Sequence, residues 1–176
     1  MAVLLAGCAS TASHSPLLDH SRLPEHCFDC DASPGKFSEW SRTISARAVR
    51  LSGTLELIEP RYDAKWAALA NVFVGGTDDA SMVGLRAYFS WDPPEMLHFV
   101  LMGSNGPTSG RTVVSVPWQH RAIPFTVSLS ESRHLTVSAG SGSQTLHLKD
   151  FDVQRIALVC STAEFKFRAV IVDEQQ

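Results

Sequence analysis

The sequence predicts an all-β chain that folds as an antiparallel β-sandwich. Three observations carry this. Apolar and polar residues alternate with a period of two through the second half of the chain. Clusters of Gly, Ser, Pro and Asp interrupt these runs at hairpin spacing. Each run has one oily face, and closely spaced antiparallel strands of that kind bury it by packing sheet on sheet or by closing into a barrel.

The 176 residues, 44% of them apolar, suit one domain with a sizeable core plus tails. Division by composition gives a residual leader over 1–8, a tether and Cys-bearing loop over 9–39, and a β-sandwich over 40–176. In that last region, "TISARAVRLSGTLELIE" reads as one or two strands, with Ser45, Arg47, Val49 and Leu51 on one face. Asp63 to Ala70 reads as a short helix with Asp63 as N-cap, or as a strand running on into Val72-Phe73-Val74. "VGLRAYFSW" and "EMLHFVLMG" flank the turn Asp92-Pro93-Pro94, and "TVVSV" follows the loop at 103–110. Phe125, Val127 and Leu129 then face inward. Beyond a turn at Glu131-Ser132 so do Leu135, Val137 and Ala139, and beyond Gly140-Ser141-Gly142 so do Leu146 and Leu148. Arg155 to Cys160 is the next strand, and "EFKFRAVIVDE" the last, with Phe165, Phe167, Ala169 and Ile171 on one side. The total is about nine or ten strands.

Composition excludes several classes. Net charge is −3 with Lys and Arg scattered, so no basic stripe exists to neutralise phosphates, and nucleic acid is not an expected partner. No apolar run approaches the ~20 residues of a spanning helix. There is no G-x-S-x-G elbow, H-E-x-x-H, P-loop or dinucleotide fingerprint. No cofactor or metal is expected. Gly75-Gly76-Thr77-Asp78-Asp79 reads as a polar turn ahead of a Ca²⁺ loop, and Asp150 and Asp152 as a solvated loop.

Leu5-Ala6-Gly7-Cys8 resembles the lipobox of bacterial lipoproteins. That resemblance implies cleavage before Cys8 and a diacylglycerol on its thiol. Ala9, where Asp would favour inner-membrane retention, implies outer-membrane sorting. The Ser/Thr/Pro-bearing stretch Ala9 to Pro16 suits the tether of such a protein. Only seven residues precede Cys8 and none is Lys or Arg, a departure from the signal-peptide pattern. It leaves open a start upstream, or a chance motif in a cytosolic protein.

Of the other cysteines, Cys27 and Cys30 form a C-x-x-C preceded by His26. In an oxidising envelope the favoured reading is a small disulfide between them. A redox pair, a zinc site completed by His20 and His26, and free thiols are the alternatives. Cys160, alternating with Ile156 and Leu158, reads as a small buried hydrophobe.

"HLTVSAGSGSQTLHL", "RIALVC" and "EFKFRAVIV" together make the region 111–173 similar to concanavalin-like jelly-roll domains. The sandwich is therefore expected to be jelly-roll-like. Glycoside hydrolases of that group carry acidic residues alternating on one strand. Glu56 and Glu59, offset by three, fall on opposite faces, so that activity does not carry over.

The candidate ligand-binding residues are Trp118, Gln119, His120 and Arg121 between two strands, with Trp91 and Asp92 as a second cluster. A flat ring to stack on, beside amide and guanidinium donors, is what sugar recognition uses. The competing reading is that these Trp residues close the ends of the sandwich. His134 and His147 could pair across a hairpin, and His98 reads as a partnered interior or edge histidine. The function expected is a lipid-anchored envelope protein with a non-catalytic binding or scaffolding role, its partner a glycan or an envelope protein. A carrier of an apolar ligand such as a lipid, and an enzyme with an unrecognised site, are the alternatives.

Overall fold

The computed structural model describes residues 27–76, 82–103, 110–149 and 151–175. The lipobox-like Leu5-Ala6-Gly7-Cys8, the rest of the chain to residue 26 with His20 and His26, Thr77 to Asp79 and Asp150 lie outside the described residues.

The described chain is two six-stranded antiparallel sheets laid face to face, as the alternation predicts. Twelve strands follow in order: β1 (Phe28–Asp31), β2 (Phe37–Ala46), β3 (Ala48–Pro60), β4 (Leu69–Gly75), β5 (Val83–Ser90), β6 (Met96–Met102), β7 (Arg111–Pro117), β8 (Ile123–Leu129), β9 (His134–Ala139), β10 (Gly142–His147), β11 (Val153–Ser161) and β12 (Ala163–Gln175). Sheet A runs β1-β12-β3-β8-β9-β10, and sheet B runs β2-β11-β4-β5-β6-β7. Leu51, Leu55, Leu57, Val127, Leu135, Phe165 and Phe167 of sheet A meet Val72, Leu85, Phe99, Leu101, Ile156 and Leu158 of sheet B in one buried cluster. The interior is filled by these side chains.

Several expectations are corrected. The sandwich begins ahead of residue 40: β1 and the first residues of β2 belong to its sheets. Polar positions alternate with few apolar ones there, so the period-two signal is faint. Residues 63–70 form no helix. Asp63 Oδ1 accepts from the backbone N–H of Lys65 and Trp66 at 2.8 and 2.9 Å, as an N-cap would. The chain leaves this turn and enters β4 at Leu69 instead of winding on. In β12 the inward set is Phe165, Phe167 and Val170. Ala169 takes φ 49° at a register shift between Arg168 and Ile171, so Ile171 turns outward.

The disulfide joins Cys30 to Cys160, with Cα atoms 5.9 Å apart, and Cys27 stands outside it. Cys30 lies on a strand, and three residues of extended chain span about 10 Å. That exceeds the reach of a disulfide, so a Cys27–Cys30 bridge does not form on this backbone. Cys160 is buried as expected, but as half of a bridge tying sheet A to sheet B.

Candidate functional site on the outer face of sheet B

Outward positions of sheet B fall into ranks because antiparallel partners share a face. One rank reads Glu39, Val159, Asn71, Arg86, Val100, Thr112 across β2, β11, β4, β5, β6 and β7. The next reads Phe37, Ser161, Leu69, Tyr88, His98, Ser115. The sequence "LANVFVG" explains the first. Ala70, Val72 and Val74 serve the core, so Asn71 must point the other way.

Asn71 is only 5% exposed although it faces away from the core. Its Oδ1 accepts from Arg86 Nε at 2.8 Å, which holds the guanidinium against the sheet. Burial pushes the Arg86 guanidinium below its ordinary value. Among the described residues no carboxylate reaches it. Glu39, in the same rank, stands three strands away, roughly 14 Å at ordinary strand spacing, and pairs with Arg155. Beside this pair, Tyr88 and His98 stack with ring centroids 4.9 Å apart. His98 Nδ1 lies 2.7 Å from Ser115 Oγ, which fixes the ring. Leu69, Arg86, Tyr88, Val100, Met102 and Thr112 line an open groove of about 360 Å³. An apolar floor, the Arg86 guanidinium and the Tyr88 phenol meet there, while Asn71 holds Arg86 and His98 backs Tyr88 from beside the groove. Arg86 and Asn71 are functional candidates that sequence reading misses, because only the register of β4 against β5 brings them together.

The residues expected to bind ligand lie elsewhere. Trp118 to Arg121 follow β7, and Trp91 and Asp92 follow β5, at one end of the sandwich. They are neighbours in space: Phe89 meets Trp91 and Trp118 edge-on, at 4.9 and 5.2 Å, and Trp118 lies 5.2 Å from His120. Trp118 is half-buried, and its indole N–H donates to Leu57 O at 3.3 Å. Trp118, Gln119 and Arg121 line a smaller cleft of about 250 Å³ with Leu97 and Ile123. His134 and His147 do face each other across the β9–β10 hairpin, centroids 4.9 Å apart. No group of three or more His, Cys, Asp or Glu suited to a metal occurs among the described residues.

The chain is thus a jelly-roll β-sandwich with an open groove, apolar with one guanidinium, on the outer face of sheet B. Solved structures of this fold resemble it. An alginate lyase from Pseudomonas aeruginosa superposes with a TM-score of 0.59 at 15% identity, over 80% of this chain and 75% of that one. The carbohydrate recognition domain of Emp47p gives 0.52 at 11% identity, over 90% and 92%. A carbohydrate-binding module from Bacillus subtilis gives 0.51 at 8% identity, over 85% and 96%. At these identities the likeness is one of fold. No protein-family model matches the sequence, and no curated protein matches it.

Proposed function

We propose that this protein binds an acidic glycan across the outer face of sheet B. The observation that carries the reading is Arg86: a guanidinium partly withdrawn from water, oriented by Asn71, and facing a groove with no carboxylate of its own among the described residues. Its Nε serves Asn71, which leaves the two terminal nitrogens to meet the carboxylate of a uronate as a fork. The stacked Tyr88 and His98 offer a ring and donors to the adjoining sugar. Two of the structural neighbours are a carbohydrate recognition domain and a carbohydrate-binding module, and others are lyases of alginate, an acidic polysaccharide. We favour this face over the Trp118–Arg121 loop because Trp118 already spends its N–H on Leu57. The proposal extends to location: a bacterial envelope, with the chain held at the outer membrane through an acylated Cys8. The Leu5-Ala6-Gly7-Cys8 motif and a disulfide suited to an oxidising compartment support it. Labelled palmitate should enter the wild type and not Cys8→Ser.

The binding test is affinity electrophoresis against alginate and against neutral glucans. The wild type should be retarded by alginate, less so as salt rises. Arg86→Ala should bind roughly ten- to a hundredfold more weakly, the equivalent of one lost charge-assisted hydrogen bond. Equal retardation by neutral glucan, or an Arg86→Ala variant indistinguishable from wild type, would refute the site.

One observation favours a second reading, that the groove also cleaves. β-Elimination from a uronate needs its carboxylate neutralised and a base close to C5. Arg86, oriented by Asn71, would meet the first need, and Tyr88, two residues along the same strand face beside His98, would take the C5 proton while O4 departs with the electron pair of the C4–O4 bond and takes a proton from water. Ultraviolet absorbance of an unsaturated uronate, growing with time on alginate and absent in Tyr88→Phe, would support cleavage. A flat trace with binding intact leaves a lectin.

A further inference from the structure

Five large apolar side chains stand exposed among the described residues, and four of them are aromatic: Phe37 at 65%, Tyr62 at 72%, Trp66 at 51% and Trp91 at 46%. The register places all four at one end of the molecule. Phe37 pairs with Ser161, Ser161 with Leu69, and Leu69 with Tyr88. Phe37 opens β2, Trp66 lies three residues before β4 begins, and Trp91 comes directly after β5 ends. Tyr62 meets Trp91 edge-on, centroids 6.3 Å apart. The turn before Phe37 touches the Tyr62–Trp66 loop, since a Cβ on Gly35 would come within 3.2 Å of Asp63 Oδ2. The exposed Lys36 and Lys65 sit among these rings. The fifth exposed apolar residue, Ile171, lies mid-strand on sheet A.

We infer that this aromatic end docks the protein on a lipid bilayer, its rings at the level of the headgroups. Three arguments favour lipid over other occupants. Trp66, Trp91 and Tyr62 are side chains with an apolar body and a polar atom, the kind that collects where hydrocarbon meets water, and Phe37 adds purely apolar area. The rings do not form a platform for a sugar: Tyr62 stands at 72° and Phe89 at 88° to Trp91. The third argument is reach. β1 runs from Phe28 toward this end and its last residue, Asp31, pairs with Glu164 one position from the start of β12. The chain therefore enters the fold about 13 Å above the aromatic end, four residues of strand. Eighteen residues separate Cys8 from Cys27, chain enough to cover that distance, so an anchor at Cys8 can lie in the plane on which the rings rest. In this pose the outer face of sheet B stands upright, and its groove opens sideways to a glycan.

The inference is separate from the glycan reading, and its test keeps the two apart. Full-length protein carrying Cys8→Ser, which has no site for acylation, is mixed with phosphatidylcholine vesicles containing brominated acyl chains. The expected result is co-flotation with quenching of Trp fluorescence. Trp66→Ser with Trp91→Ser should lower partitioning by about tenfold or more, because interfacial binding scales with the apolar area inserted. Arg86→Ala should float as the parent does. Should the Trp variant melt far below the parent, Phe37→Ser with Tyr62→Ser takes its place and should give the same loss. Absence of co-flotation, retention by both aromatic variants, or loss of self-association rather than of vesicle binding would each overturn the inference.

Discussion

Trp118 is half-buried, its indole N–H on Leu57 O at 3.3 Å and its ring edge-on to Phe89 at 5.2 Å. It belongs to both sheets at once, since it follows β7 of sheet B and bonds to β3 of sheet A. A side chain so placed contributes to cohesion more than to recognition. Trp118→Ala should cost about 3 kcal/mol, the low end for removing such a ring. Trp118→Phe should recover most of that and still lose about 1 kcal/mol for the hydrogen bond. Urea unfolding measures both, and alginate retardation should not change in Trp118→Phe. A melting curve unmoved by Trp118→Ala would return the residue to the role of an exposed platform. Arg86 is the opposite case: it is held by one amide, its loss should leave folding nearly intact, and its effect should fall on ligand.

Strands with clean alternation were legible. β8, β9 and β10 pack inward the residues whose spacing assigns them there, from Phe125 to Leu146, and β9 and β10 meet at the two-residue turn Gly140-Ser141. Elements governed by partners rather than by their own pattern were not. The edge strand β1 exists because β12 is there to pair with it, and four residues carry too short a period to see. The bulge in β12 is invisible in "FKFRAVIV", since the alternation could continue as far as Ile171 and only the pairing with β3 shows that it does not. Of the site, aromatic and guanidinium residues near turns could be picked out. The Asn71–Arg86 pair lies inside strands, where single outward polar residues look like ordinary surface. The bulge makes its own prediction. Ala169 holds φ 49°, a left-handed conformation that costs a residue with a Cβ about 1 kcal/mol or more. Ala169→Gly should therefore leave stability unchanged or raise it by up to about 1 kcal/mol, with unaltered glycan binding. If it destabilises markedly, the methyl group rather than the backbone matters at that bend.

The two sheets are joined along both flanks, by different means. On the β7–β10 side the backbones approach closely: Gln144 Nε2 donates to Thr112 O at 3.1 Å, and a Cβ on Gly142 would meet Val113 O at 2.2 Å. On the β1–β2 side the covalent bridge Cys30–Cys160 ties sheet A to β11, the neighbour of β2 in sheet B. It closes a loop with a sequence separation of 130, for which the chain-entropy model gives an upper value of about 5 kcal/mol. Retained structure in the reduced, unfolded chain lowers that, so Cys160→Ser should cost about 2–5 kcal/mol. Cys30→Ser should cost the same, and the double variant no more than either, because all three remove one bond. Cys27→Ser, outside the bridge, should stay within about 0.5 kcal/mol of the parent. Denaturation under oxidising conditions and again with reductant separates the cases: the parent should fall to the level of Cys160→Ser when reduced, and Cys160→Ser should not move. A parent indifferent to reductant, or a Cys27→Ser variant as weak as Cys30→Ser, would mean that the sheets are held by packing alone or by a different pairing of thiols.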